Sequence, residues 1–289
     1  MHNRKKSHLT AGQNVPVVVL LSSVAVFVLK EILKNKGKHK KAQHKEIYIL
    51  SEETYNIRIK YAKGGVLKYI GHLDLMRFFQ KVFKRAGVDV AYSQGFSPHQ
   101  LMSFAAPLAL GVTSEGEYFD VQMNSLISSD EYVKIFNEQM VDGVYVKDVI
   151  LLPEKAKKAM SIVAASDYVI TFNEDNSVNK DIKDKVLSAV LHLLEKETIE
   201  VFRKTKKNEK VEDIKHGIYK LELKDDSIYM FLAAGSEYNL KPDSVIEALC
   251  NEAGVEYNRF DYAIHRLETY YKNEDGELVS LLETGTRIE

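Results

Sequence analysis

Twice along this chain the hydrophobic pattern runs strand, helix, strand, strand, helix, strand, the second time with an extra strand, and that recurrence limits the fold more than any single motif. In the first pass Tyr55, Ile57, Ile59 and Tyr61 alternate with Asn56, Arg58 and Lys60, which predicts a half-buried strand. After a Gly64-Gly65 turn, Leu75, Met76, Phe79, Val82, Phe83 and Ala86 recur at helical spacing, and Gly87 ends the helix. An extended segment begins at Val88. Phe119, Val121 and Met123 then alternate with Tyr118, Asp120 and Gln122. Ser128 and Glu131 make a capping box before Val133, Phe136 and Met140, and Pro153 stops a last strand over 144–152.

The second pass starts with Tyr168, Ile170 and Phe172 as a strand. Asn179 caps a helix with the stripe Ile182, Val186, Leu187, Val190, Leu191 and Leu194. Strands follow at 199–205, 218–223 and 228–233, the last two joined by a turn at Lys224-Asp225-Asp226-Ser227. Pro242 opens a helix, Gly254 stops it, and 255–271 ends in a strand or short helix. The expected fold is therefore α+β: two tandem ferredoxin-like β-α-β-β-α-β units with antiparallel sheets, at 54–155 and 165–275, and a tail at 276–289. The repeat is one of architecture, without residue identity between the halves.

Residues 1–46 stand apart. They hold ten basic against two acidic residues, net +8, which leaves 30 basic and 39 acidic residues in the body, net −9. An acidic body confines any nucleic-acid site to a local patch. The uncharged run 15–29 has three readings: a membrane anchor with the basic 34–45 stretch on the cytoplasmic side, a signal peptide, or a start site placed too far upstream. The single cysteine, Cys250, excludes a disulfide framework and any cysteine-cluster site supplied by this chain alone, and points to a reducing cytoplasm. The alternative location is a membrane anchor facing the cytoplasm.

The stretch from Tyr92 to Val121 mixes Gly, Pro, Ser, His, Gln and aromatic residues between apolar runs, as functional loops do. Its candidate ligand-binding residues are Tyr92, Ser93, Gln94, Phe96, Ser97 and His99. His72, Asp74 and Arg77, at the start of the first helix, are placed to face that loop at a natural anion site. A basic run from Arg203 to Lys215 offers Arg203, Lys204, Lys206, Lys207 and Lys210 as phosphate contacts. The 94–99 turn and this lysine hairpin are expected to open onto a common cleft. Ser236 and Asn239, before the last helix, are further polar candidates. No spacing fixes a metal site on His72, His99 and Asp74, and no Gly-x-Ser-x-Gly elbow supports a nucleophilic triad, so no metal is expected.

Several of these stretches together carry a resemblance: Gly71-His72-Leu73-Asp74-Leu75-Met76-Arg77, Tyr92-Ser93-Gln94-Gly95-Phe96-Ser97-Pro98-His99, Ser103-Phe104-Ala105-Ala106-Pro107-Leu108, Leu110-Gly111-Val112 with Ser114-Glu115-Gly116-Glu117-Tyr118, Lys206-Lys207 through Asp213-Ile214, and Asn239-Leu240-Lys241-Pro242-Asp243. In this order they resemble the radical SAM-linked domain family of unknown function. The resemblance implies a bacterial, cytoplasmic accessory protein, fused to or encoded beside a radical SAM protein, with no catalytic residues to transfer. The hydrophobic extension is foreign to that pattern. One cysteine cannot hold a radical SAM cluster, so this chain carries no cofactor, and the partner is expected to supply the iron–sulfur cluster and S-adenosylmethionine.

The expected function is recognition of an RNA or ribosomal substrate for that partner. One alternative is an RNA-processing or modifying enzyme using His72, His99 and Asp74 as acid–base groups. The other is a structural adaptor without nucleic-acid binding.

Overall fold

The computed structural model describes residues 53–173, 179–204 and 209–289, and the side chains of all of these except Arg203, Lys204 and Glu209. The 1–46 extension with its 15–29 segment, and Thr205, Lys206 and Lys207, lie outside the described residues. Residues 54–92 and 99–289 form one compact unit, and 93–98 belong to another.

β1 (Tyr55–Lys63) organises the first half. It pairs antiparallel with β3 (Thr113–Met123) on one side, Ile59 opposite Phe119, and with β4 (Val144–Leu151) on the other. The alternation puts Ile57, Ile59 and Tyr61 into a core with α1 (His72–Ala86) and α2 (Ser129–Asn137), where Phe79, Phe83, Phe119 and Phe136 meet. The Phe79 and Phe119 rings are 4.7 Å apart. Removing one such buried ring costs about 3–5 kcal/mol. Gly87 closes α1 in the left-handed conformation, φ 67°, and Ser128 Oγ accepts the Glu131 N–H at 3.2 Å, as the sequence predicts.

β2 (Met102–Phe104) runs antiparallel along the free edge of β3. In the second half, β5 (Val163–Phe172) lies between β10 (Tyr262–Lys272) and β9 (Ser227–Ala233), and β8 (Ile218–Lys224) closes the edge, every pairing antiparallel. α4 (Lys180–Glu195) and α5 (Pro242–Ala253) cover one side of it through Val186, Val190, Val245 and Leu249. α3 (Ala159–Ile162) is a single turn leading into β5. β6 (Glu200–Lys204) and β7 (Glu209–Asp213) pair only with each other.

The halves are joined by one parallel contact between β3 and β10, His265 opposite Thr113 and Arg266 opposite Ser114. The order across the sheet is β4-β1-β3-β10-β5-β9-β8. Gly116 permits this closeness, since a Cβ there would lie 2.4 Å from the Glu268 Cα. Thr269 Oγ1 donates to the Gly116 carbonyl at 2.8 Å. The architecture is α+β with a mostly antiparallel sheet.

β1 differs from its expected half-buried form. Arg58 is 0 % exposed, because residues after β4 and the carboxy-terminal segment cover the polar face as well. Arg58 donates to Asp120 through Nε (2.7 Å) and Nη2 (3.1 Å), to Thr284 Oγ1 (2.7 Å) and to the Lys157 carbonyl (3.2 Å). The 276–289 stretch is accordingly woven into the fold. β11 (Leu278–Ser280) pairs with β10, Leu281 is buried, and Thr286 bridges Leu151.

Candidate functional site

At the junction the chain leaves a cleft of 590 Å³. One wall is apolar, built from Ala106, Pro107 and Leu108 after β2 and from Met160 and Val163. The facing wall is the turn before α5, with Ser236, Asn239 and Lys241. Gly235 shapes that turn at φ 116°, where a Cβ would stand 2.1 Å from the Val163 carbonyl oxygen. Leu240 is buried and its N–H donates to the Ala233 carbonyl, which anchors the wall to β9.

Tyr168 and Arg266 also line the cleft. Arg266 Nη1 donates to Glu117 Oε1 at 2.8 Å, and Nε to the Tyr168 hydroxyl at 3.3 Å. Burial works against the guanidinium charge, but Glu117 and Tyr168 hold its pKa above the usual range. Its charge is thus matched by Glu117. Asp243 is matched by Arg259 at 2.6 Å and accepts from the Tyr257 hydroxyl. Lys241 is exposed and makes no ion pair among the described residues. One uncompensated cation beside an apolar wall suits a ligand with a planar or apolar body and an anionic group.

A second cavity, 530 Å³, is lined by Asn56, His99, Gln100, Ser103, Asp120 and Lys158. Gln100 is buried and its Nε2 donates to the Tyr92 hydroxyl at 3.3 Å. Asp120 is committed to Arg58 and to the Ala159 N–H, which donates at 2.7 Å, so it is not an available base.

Within the 54–92 and 99–289 unit, His72, Asp74 and Arg77 do not line the cavity that His99 lines. The half-buried His72 sets its ring edge-on against Phe104, centroids 5.0 Å apart. Asp74 and Arg77 form an exposed pair at 3.2 Å, and none of the three lines either cavity. Tyr92 bridges Gln100, and His99 lines the second cavity. In the 93–98 unit, Gln94, Phe96 and Ser97 are exposed and Ser93 is half-buried. Lys210 is exposed on β7 and does not share a cavity with His99. Arg203 and Lys204 belong to β6, and Lys206 and Lys207 lie outside the described residues.

Sequence reasoning missed Arg266, Tyr168 and Gln100. Arg266 and Gln100 occupy strand or strand-edge positions where a polar group reads as solvent-facing, and Tyr168 reads only as a core position of its strand. The turn with Ser236 and Asn239 and the stretch that carries Ala106, Pro107 and Leu108 are both signalled in the sequence, but not that they line one cleft. Among the described residues no group of three or more His, Cys, Asp or Glu is arranged to hold a metal, and no helix is long and apolar enough to cross a membrane.

The chain is an α+β protein with a mostly antiparallel sheet and a cleft at its internal junction, an architecture that does not by itself fix a ligand or an activity. Residues 56–242 match the family described as an uncharacterized protein conserved in bacteria (DUF2344), and the chain belongs to that family. No curated protein matches the sequence. Among solved structures, one of a Cbf5–Nop10–Gar1 complex is similar with a TM-score of 0.36 and 11% identity. The likeness covers 75% of this chain and 50% of that chain, so this chain spans about half the length of the protein it matches. A likeness at that score carries no argument.

Proposed function

We propose that this protein recognises an RNA or ribosomal substrate for a partner radical SAM enzyme and does not itself carry out the chemistry. The junction cleft carries this reading: its apolar wall suits a base, and the free ammonium of Lys241 suits a phosphate. Each half is read as a ferredoxin-like unit. The orders β4-β1-β3-β2 and β10-β5-β9-β8 both place the fourth strand beside the first, then the third, then the second. Units of this kind commonly serve as RNA platforms, which is support by fold analogy.

The partner supplies the iron–sulfur cluster and S-adenosylmethionine. The lone Cys250 is buried, its Sγ lies 3.0 Å from the Tyr262 hydroxyl, and burial pushes its thiol pKa up, away from a ligating thiolate. Val66, Tyr69 and Leu110 are large exposed apolar residues on neighbouring segments, joined where the Gly111 N–H donates to the Lys68 carbonyl. They offer the partner an apolar docking surface. A cytoplasmic location accords with this role.

Titration of labelled cellular RNA with the purified chain at low and high salt tests the reading. Binding is expected at low salt, and Lys241→Glu is expected to weaken it about tenfold while reducing the salt slope by about one. Absence of binding at low salt contradicts the reading, and an unchanged affinity in Lys241→Glu contradicts the cleft as its site.

A further inference from the structure

The second-half sheet has another side, opposite α4 and α5, and its side chains form a continuous aromatic surface. Tyr219, 50% exposed, meets Phe231 edge-on at 5.6 Å between centroids, and Phe231 meets Tyr270 at 5.0 Å. Tyr229 lies next along β9. The Tyr229 and Tyr270 hydroxyls both donate to Asp167 Oδ2, at 3.1 and 3.2 Å, which holds the two rings in fixed orientations. Lys224 and Lys220 place their ammonium groups 4.1 and 5.8 Å from the centre of the Tyr229 ring. Lys220 pairs with Glu222 at 2.9 Å, while Lys224 makes no ion pair among the described residues.

This composition is unusual for an idle sheet face. The rings are partly exposed, rigid and adjacent, and cations stand at their border rather than being dispersed. A nucleobase stacks on any such π-face, and its phosphate then reaches a lysine beside the ring. The acidic body gives no general attraction for nucleic acid, so Lys224, the lysine of this face that makes no ion pair among the described residues, marks where a backbone phosphate would lie.

We propose that the open face of β8, β9 and β10 is a stacking platform for single-stranded RNA, with Tyr219 and Phe231 carrying successive bases and Lys220 and Lys224 contacting the backbone. This inference rests on the reading of the protein as one that recognises RNA, but it concerns a surface separate from the junction cleft. The strand is read by stacking and charge, so the platform tolerates sequence and rejects a duplex, whose bases are already stacked.

The chain has no tryptophan, so Phe231→Trp installs a single fluorescent reporter in the platform. The experiment titrates this variant, confirmed to melt like the parent, with an oligouridylate of about ten nucleotides and with a duplex of equal length, recording fluorescence anisotropy of the labelled oligonucleotide and tryptophan emission together. The single strand is expected to quench the tryptophan as it binds, and the duplex to leave it unchanged. Tyr219→Ala and Lys224→Glu are each expected to weaken single-strand binding about tenfold. Tyr219→Trp is the reporter if Phe231→Trp does not fold. An anisotropy change with unquenched tryptophan and a neutral Tyr219→Ala overturns the platform alone. Equal quenching by duplex overturns its single-strand character. No anisotropy change with any RNA overturns the recognition reading beneath it. Quenching with a neutral Lys241→Glu upholds the platform and removes the cleft from the account.

Discussion

Asp167 is the residue on which the geometry of the aromatic face depends, and its titration makes that dependence measurable. Burial raises its carboxyl pKa above the ordinary range, opposed by the hydroxyls of Tyr229 and Tyr270. The folded chain therefore keeps the proton to a higher pH than the unfolded chain. Stability tied to this group is complete below the ordinary carboxylate range and falls as the pH rises through the shifted value. Asn at this position still accepts from both phenols and does not titrate. Asp167→Asn is expected to flatten that decline and to raise the melting temperature near neutral pH, as read by thermal melts from about pH 4 to about pH 8. A variant curve parallel to the parent across that window contradicts the assignment. Arg58 is a residue whose environment could not be read from the sequence. Its place in an alternating strand gave it to solvent, and only the distant Thr284 and Lys157 reveal the second layer over β1. Breaking such a buried pair by removing one partner costs about 3–5 kcal/mol.

The elements divide by how locally they are encoded. Helix ends were legible because one residue decides them: Gly87 and Gly254 take left-handed φ, and Asn179 Oδ1 accepts the Asp181 N–H. The β8–β9 turn was legible too, since Asp225 adopts φ 49° where such turns favour Asp or Asn. β2 and β11, three residues each, are too short to show a period, and their pairing is set by distant strands. The β3–β10 joint is equally silent in the sequence, although Gly116 is its signature. Gly116→Ala is expected to destabilise the chain by about 1–3 kcal/mol through overpacking against Glu268. Hydrogen exchange should show faster opening at 113–117 and 265–269, with the β1–β4 ladder little changed. Uniform loss of protection, or none, contradicts a localised joint.

At the scale of the whole molecule, the two predicted halves appear as one sheet, and joining them brings the 105–109 and 234–243 stretches to a common cleft. Both stretches stood out in the sequence, but their meeting depends on the long-range β3–β10 contact, which no local pattern announces. In the proposed reading RNA is held at Lys241 in the cleft and at Lys224 on the open face, neither of which makes an ion pair among the described residues. The most direct test of RNA recognition at these places is photocrosslinking of the full chain to a thiouridine-substituted single-stranded oligonucleotide, with the attached peptides mapped by mass spectrometry. The account predicts crosslinks on the peptides that carry Tyr219, Phe231 and Lys241. Crosslinks confined to other surfaces, or none above a duplex control, would contradict it.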